Sequence, residues 1–422
     1  MEFVKEAFDK NWIAPLGFNC DGFESEMEAY VNCNGNDKFH ALCLNAGTAA
    51  LHLAVKHAGE SLYGRPEIGH GALEGKRVFC SDMTFDATVN PVQGQAFKGQ
   101  ERENFYHRFP KKAKQMVRGH VWGLSMDTAG ESIVFSTDSE TITVRYTLSR
   151  GLEMEHMPAT GVSGLDMYTS DRDGNEIWLV GKRSFRDTVT FSYGPVDIEK
   201  PVVGLQQYTL FLPLYNEVTW MEIGVEEDAE FRFEAAPQGR TIVAYGTSIA
   251  QGACASRPGM AWTNILQRML GREVVNLGFS GNAHMENEVI DLLAEIDAEV
   301  YIIDAMPNVC MFEPQAIKDT VLTSVRRLRS LKPETPIVLV DHLGYPQSKS
   351  DSKTRMMESN SIRMQKLAYE QLKKEGVKKL YYMSYDDIAL PQDATVEGSH
   401  PSDYGMQVYA EAYRKKLRKI LK

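Results

Sequence analysis

Cysteine is scarce: six residues in 422, Cys20, Cys33, Cys43, Cys80, Cys254 and Cys310, with no Cys-x-x-Cys pair and no histidines at zinc-binding spacing. Scattered reduced thiols are therefore expected, and no metal site is written in the residue order. No run of about 18 apolar residues is present to cross a bilayer. The opening Met1-Glu-Phe-Val-Lys-Glu-Ala-Phe-Asp-Lys10 mixes charges and lacks the basic-then-apolar order of a secretory leader, so a cytoplasmic location is expected. Positive charge is in deficit, with a net charge of −11 and no basic stripe interleaved with aromatics, which argues against a nucleic-acid partner. What is present is ample core material: 43% hydrophobic and 24% charged residues, enough for two or three globular domains.

The most informative segment is Ala244-Tyr-Gly-Thr-Ser-Ile-Ala-Gln-Gly252, which follows an apolar run from Thr241 to Tyr245. A strand breaking into a Gly-flanked turn lifts a serine hydroxyl above the sheet end, while Gly246 and Gly252 permit tight backbone and leave room for substrate. Alone, Gly-x-Ser is more often an ordinary turn. Three segments follow it in order: Asn276-Leu-Gly-Phe-Ser-Gly-Asn282, Ile302-Ile-Asp-Ala-Met-Pro-Asn308 and Glu397-Gly-Ser-His400. Together they supply the parts of an acyl-transfer site. Ser248 is the expected nucleophile, His400 the general base and acid, and Glu397 the carboxylate that orients the imidazole. Backbone N–H groups of Ser248 and Gly281 and the side-chain amide of Asn308 are the expected oxyanion donors.

From Thr241 to the C-terminus these blocks resemble the SGNH (GDSL-like) hydrolases, whose four naming residues fall on Ser248, Gly281, Asn308 and His400. The resemblance implies a cofactor-free serine esterase. One departure stands out: that family usually places aspartate three residues before the histidine, and here the position is Glu397. Its added methylene changes the reach of the orienting bond.

Residues 238–422 alternate apolar strands with amphipathic helices. Strands are expected at Thr241–Tyr245, Val274–Leu277, Val300–Asp304, Ile337–Val340 and Leu380–Met383. Helices are expected at Ala261–Leu270, Glu286–Ile296, Pro314–Leu331 and Met356–Glu375, and in a last segment bearing Met406, Tyr409, Ala410, Tyr413, Leu417 and Ile420 on one face. The pattern predicts an α/β fold with a parallel, flavodoxin-like five-stranded sheet covered on both sides, its ligand site beyond the strand C-terminal ends. Lesser candidates remain: His284, more often a helix cap or solvated side chain; Asp341-His342 at that edge, for which lining the substrate groove is the minority reading; and Arg257, whose part in recognising an acidic or hydroxylated substrate the sequence does not decide.

Residues 93–237 carry a period of two, with Ile142, Val144, Tyr146 and Leu148, then Tyr208, Leu210, Leu212 and Leu214, on one face. Turn signals at Asp171-Arg-Asp-Gly174, Tyr193-Gly-Pro195 and Asn216-Glu217 divide the strands, predicting an antiparallel β-sandwich. Asp171-x-Asp173-Gly174 reads as a hairpin turn in preference to a calcium loop. Trp122-Gly-Leu-Ser125, His156-Met-Pro-Ala-Thr-Gly161 and Gly164-Leu-Asp-Met-Tyr168 resemble the sandwich that accompanies one branch of SGNH hydrolases, many of which act on acylated carbohydrate. His156 is a candidate substrate contact, though a loop histidine more often only packs.

Residues 1–92 differ. A helix over Gly47–Ala58 and a strand over Val78–Cys80 are expected, and the Gly47-Thr48 helix start suits either a plain cap or a phosphate. Asn11-Trp-Ile-Ala-Pro-Leu-Gly17, Asn45-Ala-Gly-Thr-Ala-Ala-Leu-His-Leu-Ala54 and Cys80-Ser-Asp-Met-Thr-Phe-Asp-Ala-Thr-Val-Asn-Pro-Val92 resemble the start of a DegT type pyridoxal phosphate-dependent sugar aminotransferase. In that family Gly47-Thr48 would meet the cofactor phosphate and Phe85 its ring. The resemblance ends before the aspartate and lysine that pyridoxal chemistry needs. A truncated fragment is expected, loosely ordered or packed on its neighbours, and no cofactor. The leading expectation is an esterase that removes small acyl groups such as acetyl from carbohydrate. A catalytically impaired carbohydrate-binding module is the alternative, and a sugar aminotransferase remnant is disfavoured.

Overall fold

Alternating apolar side chains settle the architecture before residue 240. The computed structural model describes residues 76–79, 92–198, 205–237 and 239–421. Within the first part lie β1 (Lys76–Phe79), β2 (Val92–Gln93), β3 (Ser132–Thr137), β4 (Ile142–Leu148), β5 (Asp166–Ser170), β6 (Glu176–Leu179), β7 (Lys182–Ser184), β8 (Val189–Tyr193), β9 (Gln206–Phe211), β10 (Val218–Val225) and β11 (Phe231–Phe233). One sheet runs β1-β10-β4-β8-β7; the other runs β11-β3-β9-β5-β6, with β2 added on β3. Neighbours are antiparallel, as in the register of β4 on β10 and β3 on β9. Ile142, Val144 and Tyr146 from one sheet share a buried core with Ile133, Phe135, Tyr208 and Leu210 from the other, so the alternating residues meet between two layers. Leu214 lies beyond the end of β9 and joins a different core, in the module that follows.

Asp171 closes the β5–β6 hairpin: its Oδ1 accepts the N–H groups of Asp173 and Asn175 at 3.0 and 2.8 Å. β1 belongs by sequence to the N-terminal region, yet it pairs antiparallel along β10, Lys76 opposite Val225 and Phe79 opposite Glu222. The helix expected over Gly47–Ala58 and the packing expected for residues 1–75 lie outside the described residues. So do Gly47, Thr48 and Phe85.

After residue 240 the period changes. Strands β12 (Thr241–Gly246), β13 (Val274–Gly278), β14 (Ala298–Asp304), β15 (Ile337–Val340) and β16 (Leu380–Met383) form a parallel sheet in the order β13-β12-β14-β15-β16. Helices α1 (Gly119–Ser125) and α2 (Ala159–Val162) precede the parallel sheet in sequence, yet Val121 and Trp122 of α1 and Val162 of α2 are buried in the cores on its two faces. The sheet carries α3 (Ser248–Gln251), α4 (Trp262–Leu270), α5 (Asn287–Glu295), α6 (Met306–Val309), α7 (Pro314–Leu331), α8 (Ser352–Lys374), α9 (Tyr385–Ile388) and α10 (Asp403–Ile420). Val243, Tyr245, Leu277 and Ile303 face a core made with α5, α7 and α8. Their neighbours Ile242, Ala244 and Ile302 face the opposite core, made with α4 and α10. Both strand faces are apolar because both are covered. Trp262 of α4 stacks on Tyr413 of α10 with centroids 4.3 Å apart, and burying each such ring contributes about 1.5–3 kcal/mol. Among the described residues no helix is long and apolar enough to cross a membrane.

Candidate active site

The parallel register brings three chain reversals together. Gly246, the last residue of β12, lies opposite Gly278 of β13 and Asp304 of β14, so the segments holding Ser248, Gly281 and Asn308 leave the sheet side by side at its C-terminal edge. Thr247 is extended, and its hydroxyl accepts the N–H of Ile249 at 3.3 Å, capping α3. Ser248 opens that helix. The turn is too tight for side chains: a Cβ on Gly278 would lie 2.1 Å from the Gln251 nitrogen, and one on Gly246 2.7 Å from the Asp304 carbonyl oxygen. Gly252 ends α3 with φ of 107°, a conformation that L side chains rarely adopt.

His400 stands over this turn. Its Nε2 is 2.8 Å from Ser248 Oγ, and its Nδ1 is 2.5 Å from Glu397 Oε1, which also accepts the His400 backbone N–H at 2.8 Å. The longer glutamate thus folds back over its own loop. Val396 N–H donates to the His400 carbonyl, closing that loop. Burial lowers the imidazole's pKa below 6.5; attraction to Glu397 opposes this, and the neighbouring His156 adds to it. Burial also pushes the Glu397 carboxyl up, but the His400 N–H, the imidazole and the Ser399 N–H outweigh it and hold the group below the ordinary glutamate range. A neutral imidazole beside an ionised carboxylate is the state a general base needs.

Three donors lie on the segments that leave this sheet edge. Among the described residues no acceptor takes the N–H of Ser248, the N–H of Gly281 or the Nδ2 hydrogens of Asn308. The Asn308 amide is turned by Ala283, whose N–H donates to Asn308 Oδ1 at 3.1 Å, and Gly281 takes φ of 67°. Such unpaired donors are what a developing oxyanion uses.

The residues that hold this edge in place carry no signal in local sequence. Gln251 is fully buried in α3; its Oε1 accepts the Ser280 N–H at 3.0 Å, and its Nε2 donates to Asp127 Oδ2 at 2.9 Å and to the Leu214 carbonyl. Asp127 also meets Arg150 at 2.7 Å, and burial pushes its carboxyl up to about 6 against the pull of Arg150 and Arg108. Arg108 is buried and donates to the carbonyls of Asn276 and Gly278 at 3.1 and 2.9 Å. Residues of the sandwich module therefore pin the loop that carries Gly281. A buried polar run hydrogen-bonded to both modules was the available signal, and sequence cannot display it.

The lesser candidates separate. Arg257 is engaged by the sandwich: its Nη1 donates to Asp166 Oδ2 and Tyr168 Oη, both at 2.7 Å, and its guanidinium lies 3.8 Å from the Trp178 ring centroid. Gly164-x-Asp166-x-Tyr168 thus clasps the second module, with Asp166 also accepting the Gly259 N–H. Asp341 and His342 are buried and do not line a groove. Asp341 accepts from Tyr382 and Gln365; the His342 Nδ1 accepts the Gly344 N–H, and burial pushes its imidazole down to about 3. His284 packs edge-on against Phe312. His156, from the sandwich, is exposed and stacks on His400, with centroids 5.6 Å apart and planes at 29°.

Residues 239–418 match the GDSL-like lipase/acylhydrolase family, residues 83–231 the N-terminal region of SGNH-hydrolase-type esterases named for the GxDLY motif, and residues 1–99 the DegT/DnrJ/EryC1/StrS aminotransferase family. A protein described as a GDSL-like lipase from Bacteroides ovatus ATCC 8483 is 31% identical, with a TM-score of 0.72, over 82% of this chain and 98% of its own. The salicylyl-acyltransferase SsfX3 of a tetracycline biosynthetic pathway shares the fold at 19% identity and a TM-score of 0.64, over 83% and 98% of the two chains. A protein described as the pyridoxal phosphate-dependent aminotransferase EpsN of Bacillus subtilis (strain 168) is 36% identical over 90 residues, 21% of this chain; the chain spans 19% of that relative's length.

Proposed function

The chain belongs to the GDSL-like lipase/acylhydrolase family, and on that premise we propose that it is a serine esterase working through an acyl-enzyme at Ser248. The observation that carries this reading is the hydrogen-bonded series Glu397–His400–Ser248, together with three donors at the same sheet edge that no acceptor among the described residues takes. As Ser248 Oγ adds to the ester carbonyl carbon, its proton passes to His400 Nε2, while Glu397 stabilises the imidazolium from the Nδ1 side. The carbonyl oxygen, now negative, is received by the N–H groups of Ser248 and Gly281 and by Asn308. Each such donor contributes roughly 10²–10³ in rate. Collapse of the tetrahedral adduct expels the alcohol, which takes the proton from His400. Water then adds to the acyl-enzyme with His400 again as base, and the acid leaves.

For the substrate we propose small acyl groups, such as acetyl, on carbohydrate, on the strength of the sandwich segments His156–Gly161 and Gly164–Tyr168 and their resemblance to the carbohydrate-active branch. Ser248→Ala should abolish hydrolysis of nitrophenyl acetate; a parental rate in that variant would remove the nucleophile. A panel comparing acetylated sugars with longer acyl chains tests the substrate class, and preference for long chains would overturn it.

A further inference from the structure

Beside the triad, three distant parts of the chain place soft and borderline ligands together. His156 of the sandwich, Cys254 just after α3, and His400 have ligand atoms that all lie within 4.8 Å of one another. Cys254 is held here by unusual means: it is a non-glycine residue with φ of 66°, only 6% exposed, and its thiol points to the His156 carbonyl oxygen at 3.4 Å. Backbone strain of that kind is more often kept where a side chain's direction matters. Sequence spacing hid the cluster because its members are separated by about a hundred residues or more.

We propose that His156, Cys254 and His400 form a Zn2+ site whose occupation switches the esterase off. A tetrahedral zinc ion with bonds of about 2.0–2.3 Å wants neighbouring ligand atoms roughly 3.5 Å apart. The three ligand atoms, within 4.8 Å of one another, would have to close by about an ångström to reach that spacing, with water as the fourth ligand. One thiol and two imidazoles offer sulfur and nitrogen donors, so an oxygen-preferring cation such as Mg2+ gains nothing there. Zn2+ forms a strong bond to the thiolate as the thiol proton leaves to solvent. Inhibition follows whichever imidazole nitrogen binds: His400 Nδ1 is engaged with Glu397 and Nε2 with Ser248, so the metal displaces one triad contact in either case. The site itself needs no esterase activity; only its inhibitory effect rests on the reading of Ser248 and His400.

Equilibrium dialysis of the full chain against Zn2+, with Cys254→Ala and His156→Ala in parallel, tests the site directly. The parent should bind one more equivalent than either variant, since thiols elsewhere are common to all three. Zn2+ should inhibit parental nitrophenyl acetate hydrolysis reversibly, chelator restoring the rate, whereas Mg2+ should not. The half-inhibitory concentration should rise about tenfold or more in each variant, judged against that variant's own metal-free rate. His156 is exposed, so its replacement leaves the core intact. Equal Zn2+ stoichiometry in all three proteins overturns the site even if the esterase assignment stands. Loss of the extra equivalent in the variants with no inhibition of the parent keeps the site and overturns the inhibitory role.

Discussion

Replacing Glu397 by glutamine isolates the charge at the one position where the chain departs from the aspartate expected there. In the parent, a single oxygen accepts both the ring N–H and the backbone N–H of His400. A glutamine oxygen can accept the same two bonds, so the tautomer and the loop are retained and only the negative charge is lost. A charge-assisted hydrogen bond contributes about 1.5–3 kcal/mol. Because the Glu397 side chain is 36% exposed, water screens it and the lower half of that range applies, about 1.5–2 kcal/mol or roughly 10–30-fold in kcat. Glu397→Asp restores a shorter carboxylate and should lose less than the glutamine variant. Initial rates on nitrophenyl acetate must be read on the plateau above the acid limb, because removing the charge also lowers the His400 pKa. Parental kcat in Glu397→Gln would show that the carboxylate does not assist. A loss beyond about 10³ would show that the charge is far less screened than its exposure implies.

Further outcomes follow from the same contacts. Activity should require neutral His400, so the acid limb of kcat/KM should have its midpoint below 6.5, because burial lowers that imidazole. His156→Ala uncovers the stacked His400 ring to water and relieves the burial that lowers its pKa, so the same limb should move to higher pH; a shift to lower pH would contradict the stacking account. Gln251→Ala leaves the Ser280 N–H and Asp127 Oδ2 unpaired in the interior and should cost about 2–5 kcal/mol in urea denaturation, with a fall in kcat from the loosened Gly281 loop. Arg257→Ala breaks its pairing with Asp166, whose side chain is 4% exposed. It should cost about 2–4 kcal/mol of stability while leaving kcat on a small ester little changed; a selective loss of kcat would return Arg257 to the substrate site.

Much of the second module was legible because its strands are short apolar runs bounded by turns: the ranges expected for β15 and β16 agree with the structure to the residue, and the others differ by one or two positions at their ends. Ser248, Glu397 and His400 were expected together, and the structure brings them within hydrogen-bond distance, the serine from the end of β12 and the other two from the loop before α10. The supporting shell was not legible. Gln251, Asp127 and Arg108 look like ordinary polar residues until folding buries them at hydrogen-bond distance across two modules. Arg257 stayed undecided in the sequence for the same reason, since its partner Asp166 lies far away along the chain. Groove lining was the minority reading for Asp341-His342, and burial removes it, because a position after a strand end is not the same as exposure: Tyr382, Gln365 and Gly344 close over the pair. His156 was noticed, but its stacking on His400 depends on how the sandwich loop meets the sheet.

Covalent capture tests the centre of this account most directly. The intact protein, treated with a fluorophosphonate and digested for peptide mass spectrometry, should carry one adduct on the hydroxyl of Ser248, lost in Ser248→Ala and weakened in His400→Ala. An unmodified Ser248 in a preparation that still hydrolyses nitrophenyl acetate would contradict it.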